Sequence, residues 1–386
     1  MPKMQANDGG VLRTLKKIQV NDGGVLRNLK KVQANVGGVM QTIFKSGADS
    51  VLPLSVARMN PTGASSAHHA LFASGQTNGV PGMTTVDAYD EALVRSLPTG
   101  LAQSRIGMAT AIVGDYVLFA GGQAYSDQYN YTVSGRIDAY DSSLVRTSPT
   151  ALATARMTAG ANAGEAYAVF AGGATYGSGE SSAFTNRVEA YNTSLTRSLP
   201  TALTTNAQSS VGGSIGNYAV FSYQKTTTSA NVEAYNSSLT KTTVTTTDTF
   251  RSGPGVANVG DYLLFAGGSE YLGPVTTVDA YNSSLTKSTP TALSAANTVR
   301  GASVDGYALF AHDKNNVNTV DVYNASLTRS TASALSLMRQ VFSAASVAGS
   351  YALFAGGRVT ISYAPYNELK ANVDAYDGDL NRISST

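Results

Sequence analysis

Short apolar runs bounded by glycine recur along the chain from about residue 50 to its end. Four of them read Tyr-x-(Leu/Val)-Phe-Ala-Gly-Gly and begin at Tyr116, Tyr167, Tyr262 and Tyr351, and weaker copies centre on Phe72, Phe221 and Phe310. Apolar, aromatic and β-branched runs of this length predict β-strands. A further run precedes each, as at residues 108–113, where the two-residue link Gly114-Asp115 predicts a hairpin.

A second pattern, (Val/Ile)-(Asp/Glu)-(Ala/Val)-Tyr, follows each of these runs. It occurs seven times, its tyrosines lie 42 to 53 residues apart, and a basic residue stands six positions after each tyrosine. The pairs are Tyr89/Arg95, Tyr140/Arg146, Tyr191/Arg197, Tyr235/Lys241, Tyr281/Lys287, Tyr323/Arg329 and Tyr376/Arg382. Repeats of this length are typical of stacked or radial architectures, in which each copy buries its apolar faces against its neighbours. We therefore expect four short antiparallel strands in each of seven repeats.

Seven four-stranded repeats with paired glycines after the second strand resemble the kelch repeats of β-propellers. The resemblance covers about residues 50–386 and implies an all-β fold, a seven-bladed kelch-like β-propeller over residues 48–386. Where the kelch pattern has tryptophan six residues after the tyrosine, this chain has Arg or Lys, and it contains no Trp. We expect the stem of this basic side chain to pack on a neighbouring aromatic ring, with its charge at the rim. The paired glycines should adopt positive φ where backbones crowd near the axis.

Residues 1–47 differ from the rest in charge and period. They carry eight Lys/Arg against two Asp, a net charge of +6, which leaves −4 for the remainder of a chain whose total is +2. A unit of the form Asp-Gly-Gly-Val-Leu-Arg repeats every fourteen residues. The apolar spacing would also suit a helix, but the turn signal at 21–24 separates two short apolar runs, 17–20 and 25–28. We predict tandem β-hairpins that are too small to form a core alone.

These short units resemble β-repeats of tail and baseplate proteins of bacteriophages that infect Gram-positive bacteria. The resemblance implies a virion tail protein made in the host cytoplasm without a signal peptide. Residues 1–47 would attach to other tail or baseplate subunits, and the propeller would bind a bacterial surface glycan or protein, as a homo-oligomer. The alternatives are a structural virion subunit that makes protein contacts only, and a glycan-degrading enzyme.

The composition narrows the possible chemistry. Cysteine is absent, so disulfides and thiolate metal sites are excluded. The small net charge gives no general attraction to nucleic acid, and no apolar run approaches the roughly eighteen residues of a membrane span. Two of the three histidines, His68 and His69, are neighbours in a predicted strand and point to opposite faces, so they cannot share a metal. We expect no cofactor.

The acidic residues of the tyrosine pattern occur once in every repeat. They are Asp87, Asp138, Glu189, Glu233, Asp279, Asp321 and Asp374. A catalytic carboxylate pair should break the repeat, so this equivalence favours a structural role, such as balancing the basic residue eight positions later. Of the off-repeat candidates, Glu180, Glu270 and Glu368, none is singled out. Asn-x-Ser/Thr matches such as that at Asn282 sit in predicted turns, where side-chain to backbone bonds explain them. We predict a protein that is not an enzyme.

The connections between the second and third strands vary most in length. They are short in repeats four and six and long at 123–136, 174–187 and 358–372. Exposed aromatic residues among small polar ones suit sugar stacking or protein contact, although they could equally pack on one another. The candidate ligand-binding residues are those of the long loops: Tyr125, Tyr129, Tyr131, Tyr176, Phe184, Tyr363 and Tyr366.

Overall fold

The computed structural model describes six strands within residues 5–45, by backbone alone, and residues 50–385 except 79–81, 128–129, 182, 208–209, 225–228, 245–248, 314–316, 348 and 361–367. The chain divides into two compact units, Met1–Asp49 and Ser50–Thr386. The first contains three two-stranded antiparallel sheets, which confirms the predicted hairpins. Their pairs are Gln5–Asp8 with Val11–Thr14, Ile18–Asp22 with Val25–Leu29, and Lys31–Val36 with Val39–Lys45.

The second unit is a seven-bladed β-propeller, as predicted. Each blade is a four-stranded antiparallel sheet whose strands are adjacent in chain order. Blade 1 consists of Thr62–Ser65, His69–Ala73, Val86–Asp90 and Arg95–Ser96. Blade 2 consists of Ala109–Val113, Tyr116–Ala120, Ile137–Tyr140 and Arg146–Thr147. Blade 3 consists of Met157–Ala163, Tyr167–Ala174, Phe184–Asn192 and Arg197–Ser198. Blades 4 and 5 are Ser210–Ile215, Tyr218–Gln224, Ala230–Tyr235, Lys241–Val244; and Gly255–Val259, Tyr262–Ala266, Val278–Asn282, Lys287–Ser288. Blades 6 and 7 are Val299–Val304, Tyr307–His312, Val320–Asn324, Arg329–Ala332; and Ser343–Val347, Tyr351–Ala355, Val373–Tyr376, Arg382–Ser384.

Three blades carry an additional small hairpin between their second and third strands. These are Gln123–Tyr125 with Tyr131–Val133, Ser269–Glu270 with Gly273–Pro274, and Arg358–Val359 with Glu368–Leu369. No helix occurs in the part of the chain that the structure describes, and hence none there is long and apolar enough to cross a membrane.

Strand register explains why the two sequence patterns keep step. In every blade the phenylalanine of the second strand lies directly opposite the acidic residue of the third, as Phe119 lies opposite Asp138. Because the pattern tyrosine is two residues further on, it shares the same face of the sheet. The Phe and Tyr rings meet edge to face in all seven blades, with centroids 5.9–6.2 Å apart. This face packs on the face of the preceding blade that carries aliphatic side chains. Phe170 and Tyr191 of blade 3, for example, lie against Leu118 and Ile137 of blade 2.

The first strand of each blade is innermost, and side chains at one level link these strands around the axis. The backbone N–H of Asn162 donates to Ser214 Oγ at 2.7 Å, and that of Ser346 donates to Ser65 Oγ at 2.8 Å, closing the ring between blades 7 and 1. Equivalent bonds join Ile112 to Asn162, Asn258 to Ser303 and Ser303 to Ser346. At the adjacent level, a Cβ on Gly63, Gly160, Gly212 or Gly301 would lie 2.1–2.4 Å from a backbone oxygen of the preceding inner strand. The axis is therefore crowded at glycines that the sequence patterns had not identified.

The paired glycines do adopt positive φ, but their close contact is elsewhere. Gly121 has φ 66°, and a Cβ there would lie 2.3 Å from the carbonyl oxygen of Arg156, in the connection that leads into the next blade. The segment before blade 1 plays the same part for blade 7, since Leu54 N donates to Ala371 O and Gly357 N donates to Arg58 O, both at 2.8 Å. The paired glycines thus accommodate the inter-blade connections rather than the axis.

The turn after each tyrosine strand is fixed by its Asn or Asp side chain. Asn282 Oδ1 accepts bonds from the backbone N–H groups of Ser284 and Thr286 at 3.0 and 2.9 Å. The same pair of bonds forms at the equivalent residue of the other six blades. The turn also holds leucines such as Leu285 at φ 58°. The Asn-x-Ser pattern is therefore explained by turn geometry, as predicted.

Candidate functional site

A buried arginine that sequence reasoning missed lies beneath the repeat carboxylate in five blades. Arg105 comes from the connection before blade 2, is fully buried, and bonds Asp138 at 2.5 Å and the carbonyl oxygens of Gly121 and Arg136 at 2.6 and 2.7 Å. Its equivalents are Arg58 with Asp87, Arg156 with Glu189, Arg251 with Asp279 and Arg339 with Asp374. In four of them an available signal was a leucine four residues before the arginine, as Leu101 stands before Arg105.

Blades 4 and 6 lack this arginine, and a side chain from the second strand lies beside the carboxylate instead. Ala207 and Asn297 occupy the arginine position, and in the same two blades the first paired glycine is Tyr223 or His312. His312 is fully buried, and its Nε2 lies 2.9 Å from Asp321. Tyr223 is also fully buried beside Glu233, and burial followed by that carboxylate raises the pKa of its hydroxyl. The degenerate glycine positions are thus compensating substitutions.

The basic residue six positions after each pattern tyrosine is largely buried, with 19–32% of its side chain exposed. Its charge does not remain at the rim as expected. Arg146 Nη1 donates to Asp138 at 2.8 Å, and Arg197 Nη1 donates to the carbonyl oxygen of Ala151 at 2.5 Å. Each repeat carboxylate therefore pairs with the basic residue eight positions later, which confirms the structural role inferred from the repeat.

This network leaves the repeat carboxylates inaccessible to substrate. All seven are buried, and Asp138 is typical in accepting bonds from Arg105, Arg146 and the backbone N–H of Ala102. Burial raises the pKa of Asp279, although the adjacent Arg251 opposes it. Among the off-repeat carboxylates, Glu180 accepts the Gly177 N–H at 2.5 Å, and Glu368 pairs with Lys370.

A cavity of about 750 Å³ lies on the propeller axis. The hairpins between first and second strands line it, with Asp115, Glu165 and Asp305 among its charged groups. This end of the channel is opposite to the loops between second and third strands, since the two kinds of connection leave opposite ends of the second strand. The cavity therefore does not include the predicted aromatic residues.

Four of the seven predicted ligand-binding residues lie in the described part of the chain, and they form two ring pairs. Tyr125 and Tyr131 are directly opposite one another in the small hairpin of blade 2, with ring centroids 5.3 Å apart. Tyr176 and Phe184 meet edge to face in blade 3, with centroids 5.8 Å apart. All four are half-buried, and burial followed by the neighbouring Tyr131 raises the pKa of Tyr125. The remaining predicted residues, Tyr129, Tyr363 and Tyr366, lie outside the described residues.

Hydrogen bonds join the loops of blades 2 and 3 into one surface. Ser178 Oγ accepts the Tyr131 N–H at 2.9 Å, and the Tyr131 carbonyl oxygen accepts the Ser178 N–H at 3.0 Å. The approach is close enough that a Cβ on Gly177 would lie 2.8 Å from the same carbonyl. The two ring pairs are therefore held by adjacent loops that fix one another. We call this surface, comprising residues 123–127, 130–133, 174–181 and 183–186, the aromatic sector.

Sequence reasoning also missed the small hairpin of blade 5. Its two tip residues, Tyr271 and Leu272, are 89% and 95% exposed. They stand on the same end of the propeller as the aromatic sector, since both loops join second to third strands. No ring contact involves Tyr271 among the described residues, so this tip lacks the ring pairing that orders the aromatic sector.

Comparison with known proteins supports the fold and does not assign a family. No protein-family model matches the chain, and no curated protein matches it. Many solved structures do match. One of them, described as the structure of YjhT, aligns with 87% of this chain and 99% of its own at a TM-score of 0.53 and 11% identity. Identity this low shows a shared fold only.

Proposed function

We propose that this protein is a non-enzymatic binding module of a phage tail or tail-like particle and that its kelch-like propeller binds a bacterial surface glycan. The observation that carries the proposal is the aromatic sector. Two ring pairs on adjacent blades are fixed by reciprocal bonds between Tyr131 and Ser178. Half-buried tyrosines expose part of an apolar face while their hydroxyls remain hydrated, which is the chemistry that recognises sugar rings.

The arrangement of charge supports binding rather than hydrolysis. Glycoside hydrolysis needs two carboxylates that face one substrate, about 5–9 Å apart. The seven repeat carboxylates are instead buried beside cations or hydrogen-bond donors inside the blades. The N-terminal hairpins, with their net charge of +6, are the segment we assign to attachment to other tail or baseplate subunits.

The experiment compares two double variants for binding to intact bacteria and for thermal melting. Tyr125→Ala with Tyr176→Ala removes one ring from each pair and should weaken saturable cell binding by roughly thirtyfold while leaving the propeller folded. Each sugar–aromatic contact contributes on the order of 1 kcal/mol, so each single variant should weaken binding several-fold. The matched control, Tyr271→Ala with Leu272→Ala, removes exposed apolar side chains from the same end of the propeller and should bind normally.

Two results would favour other functions. Absence of saturable binding to intact bacteria by the native protein would favour a structural subunit that makes protein contacts only, whereas loss in the Tyr271/Leu272 variant alone would move the cell-binding surface to blade 5. Release of soluble sugars from host-wall polysaccharide by the native protein would favour a glycan-degrading enzyme.

A further inference from the structure

Two arginines beside the aromatic sector depart from the repeat without a structural reason. Arg136 and Arg187 stand immediately before the first apolar residue of the third-strand pattern, in blades 2 and 3. The equivalent residues of the other five blades are Thr85, Asn231, Thr277, Thr319 and Asn372. The two blades with arginine are therefore the same two that form the aromatic sector.

The fold uses the backbone at this position and not the side chain. Arg136 O accepts the Gly121 N–H at 3.0 Å, and Thr277 O and Asn372 O accept equivalent bonds at 2.9 and 3.0 Å in blades 5 and 7. The N–H groups of Arg136 and Arg187 are bound locally, to Ser134 Oγ and Thr185 Oγ1. A threonine or asparagine serves the same backbone geometry, so folding does not require arginine.

The two side chains are exposed and lack partners within the protein. No hydrogen bond or ion pair joins either guanidinium to another residue that the structure describes, whereas every other arginine described in the propeller has at least one such contact. Each of these exposed arginines lies close enough to the buried arginine of its blade, Arg105 or Arg156, for their like charges to repel. Burial lowers the pKa of Arg105 and of Arg156, and the like charge of Arg136 or Arg187 lowers it further, against the effect of the paired carboxylate.

The carboxylates around this surface are already engaged inside their own loops. Asp127 accepts bonds from Asn130, and Glu180 accepts the Gly177 N–H. Two unpaired guanidinium groups thus lie on adjacent blades, within a few residues along the chain of Tyr131 and Phe184. Guanidinium groups form short, charge-assisted and frequently bidentate bonds with carboxylate and phosphate groups.

We infer that the aromatic sector recognises an acidic glycan, with Arg136 and Arg187 binding carboxylate or phosphodiester groups of a polymer whose sugar rings contact the tyrosines. This inference rests on the proposed glycan-binding function and narrows its ligand class. Because one arginine lies on each of two blades, a polymer with repeated anionic groups engages both, and the two contacts reinforce one another.

The test uses matched polysaccharides immobilised for interferometry with the full chain. The probes are polygalacturonate and its methyl ester, and phosphomannan and the same mannan after phosphate removal, with duplex DNA as a further polyanion. We expect one charged polysaccharide to bind at least roughly tenfold more tightly than its neutral counterpart, a difference of about 1.4 kcal/mol. Binding should weaken as salt rises, because exposed charges are screened.

Substitution separates charge recognition from general attraction. Arg136→Thr with Arg187→Thr introduces the residue of blades 1, 5 and 6 and should remove the preference for the charged probe. The control, Lys287→Thr with Arg382→Thr, removes the same charge from outer strands of blades 5 and 7 and should bind within about twofold of the native chain, at a temperature where both variants are folded.

Several outcomes would overturn the inference. Equal binding of charged and neutral probes, or no effect of the arginine substitutions, would reject acidic recognition while leaving glycan binding in place. Tighter retention on DNA than on any polysaccharide would reassign the arginines to non-selective polyanion binding. Failure of all four polysaccharides, together with normal cell binding by the Tyr125/Tyr176 variant, would reject the proposed function as well.

Discussion

Replacing Arg105 with methionine tests whether the buried ion pair holds a blade together. Asp138 would lose its fully buried partner while remaining buried itself, and the carbonyl oxygens of Gly121 and Arg136 would each lose a donor. Breaking a buried pair by removing one member costs about 3–5 kcal/mol, because the remaining buried charge loses its closest partner. The entropy of unfolding for residues 50–386, at about 2.1 cal/mol/K per residue, amounts to about 0.7 kcal/mol/K. The melting temperature should therefore fall by about 4–7 °C.

Differential scanning calorimetry of three variants checks this reasoning. Arg146→Ala removes the partly exposed partner of the same carboxylate, where solvent screens the charge, so the loss should be only about 1 kcal/mol, or about 1–2 °C. Arg105→Met with Asp138→Asn removes the stranded charge and should recover part of the loss. A melting temperature for Arg105→Met within about 1 °C of the native value, or a larger loss for Arg146→Ala, would refute the account.

Three further predictions follow from the exceptional blades and the N-terminal unit. Ala207→Arg alone and Tyr223→Gly alone should each destabilise blade 4, whereas the double variant restores the arginine and glycine of the other blades and should be more stable than either. A double-mutant cycle measured by chemical denaturation should give a coupling free energy of about 1–3 kcal/mol. Burial would raise the pKa of Asp321, but hydrogen bonds from His312 and other donors outweigh it and lower that pKa below 3.8. The ionised carboxylate therefore stabilises the folded protein above about pH 4, and this stabilisation is lost as the pH falls through the pKa of Asp321 in the folded state. His312→Asn should thus lower the unfolding free energy at pH 5 and lower it less at pH 3. A chain starting at Ala48 should melt like the propeller of the full protein but fail to enter particles, and its normal incorporation would exclude the attachment role.

The blade count and strand order could be predicted from sequence because the repeat is a property of neighbouring strands. The phenylalanine, the carboxylate and the tyrosine face one another across two adjacent strands, so their spacing is a local signal. The buried arginine was missed because its partner is distant along the chain. Arg105 and Asp138 are 33 residues apart, and the corresponding separations range from 28 to 35.

The prediction that the paired glycines crowd the axis was wrong for a related reason. Positive φ is an intrinsic preference of glycine and could be predicted. What lies against the glycine depends on the next blade, as the contact of Gly121 with the Arg156 carbonyl illustrates. The loop pairing also depends on two blades at once, because Tyr131 and Ser178 are 47 residues apart. Sequence could locate the aromatic residues in long loops, but it could not predict that Tyr131 is bonded to the neighbouring loop.

Departures from the repeat divide into two kinds, and the distinction indicates where function lies. Tyr223 and His312 break the glycine pattern, but each lies beside the repeat carboxylate of a blade that has no buried arginine, so the departures are explained by folding. Arg136 and Arg187 break the pattern with no such compensation, beside buried cations that their charge disfavours. A destabilising departure that folding does not explain is expected at functional sites. In a sevenfold repeat whose shared residues all serve the fold, uncompensated residues on two adjacent blades are the best guide to the ligand.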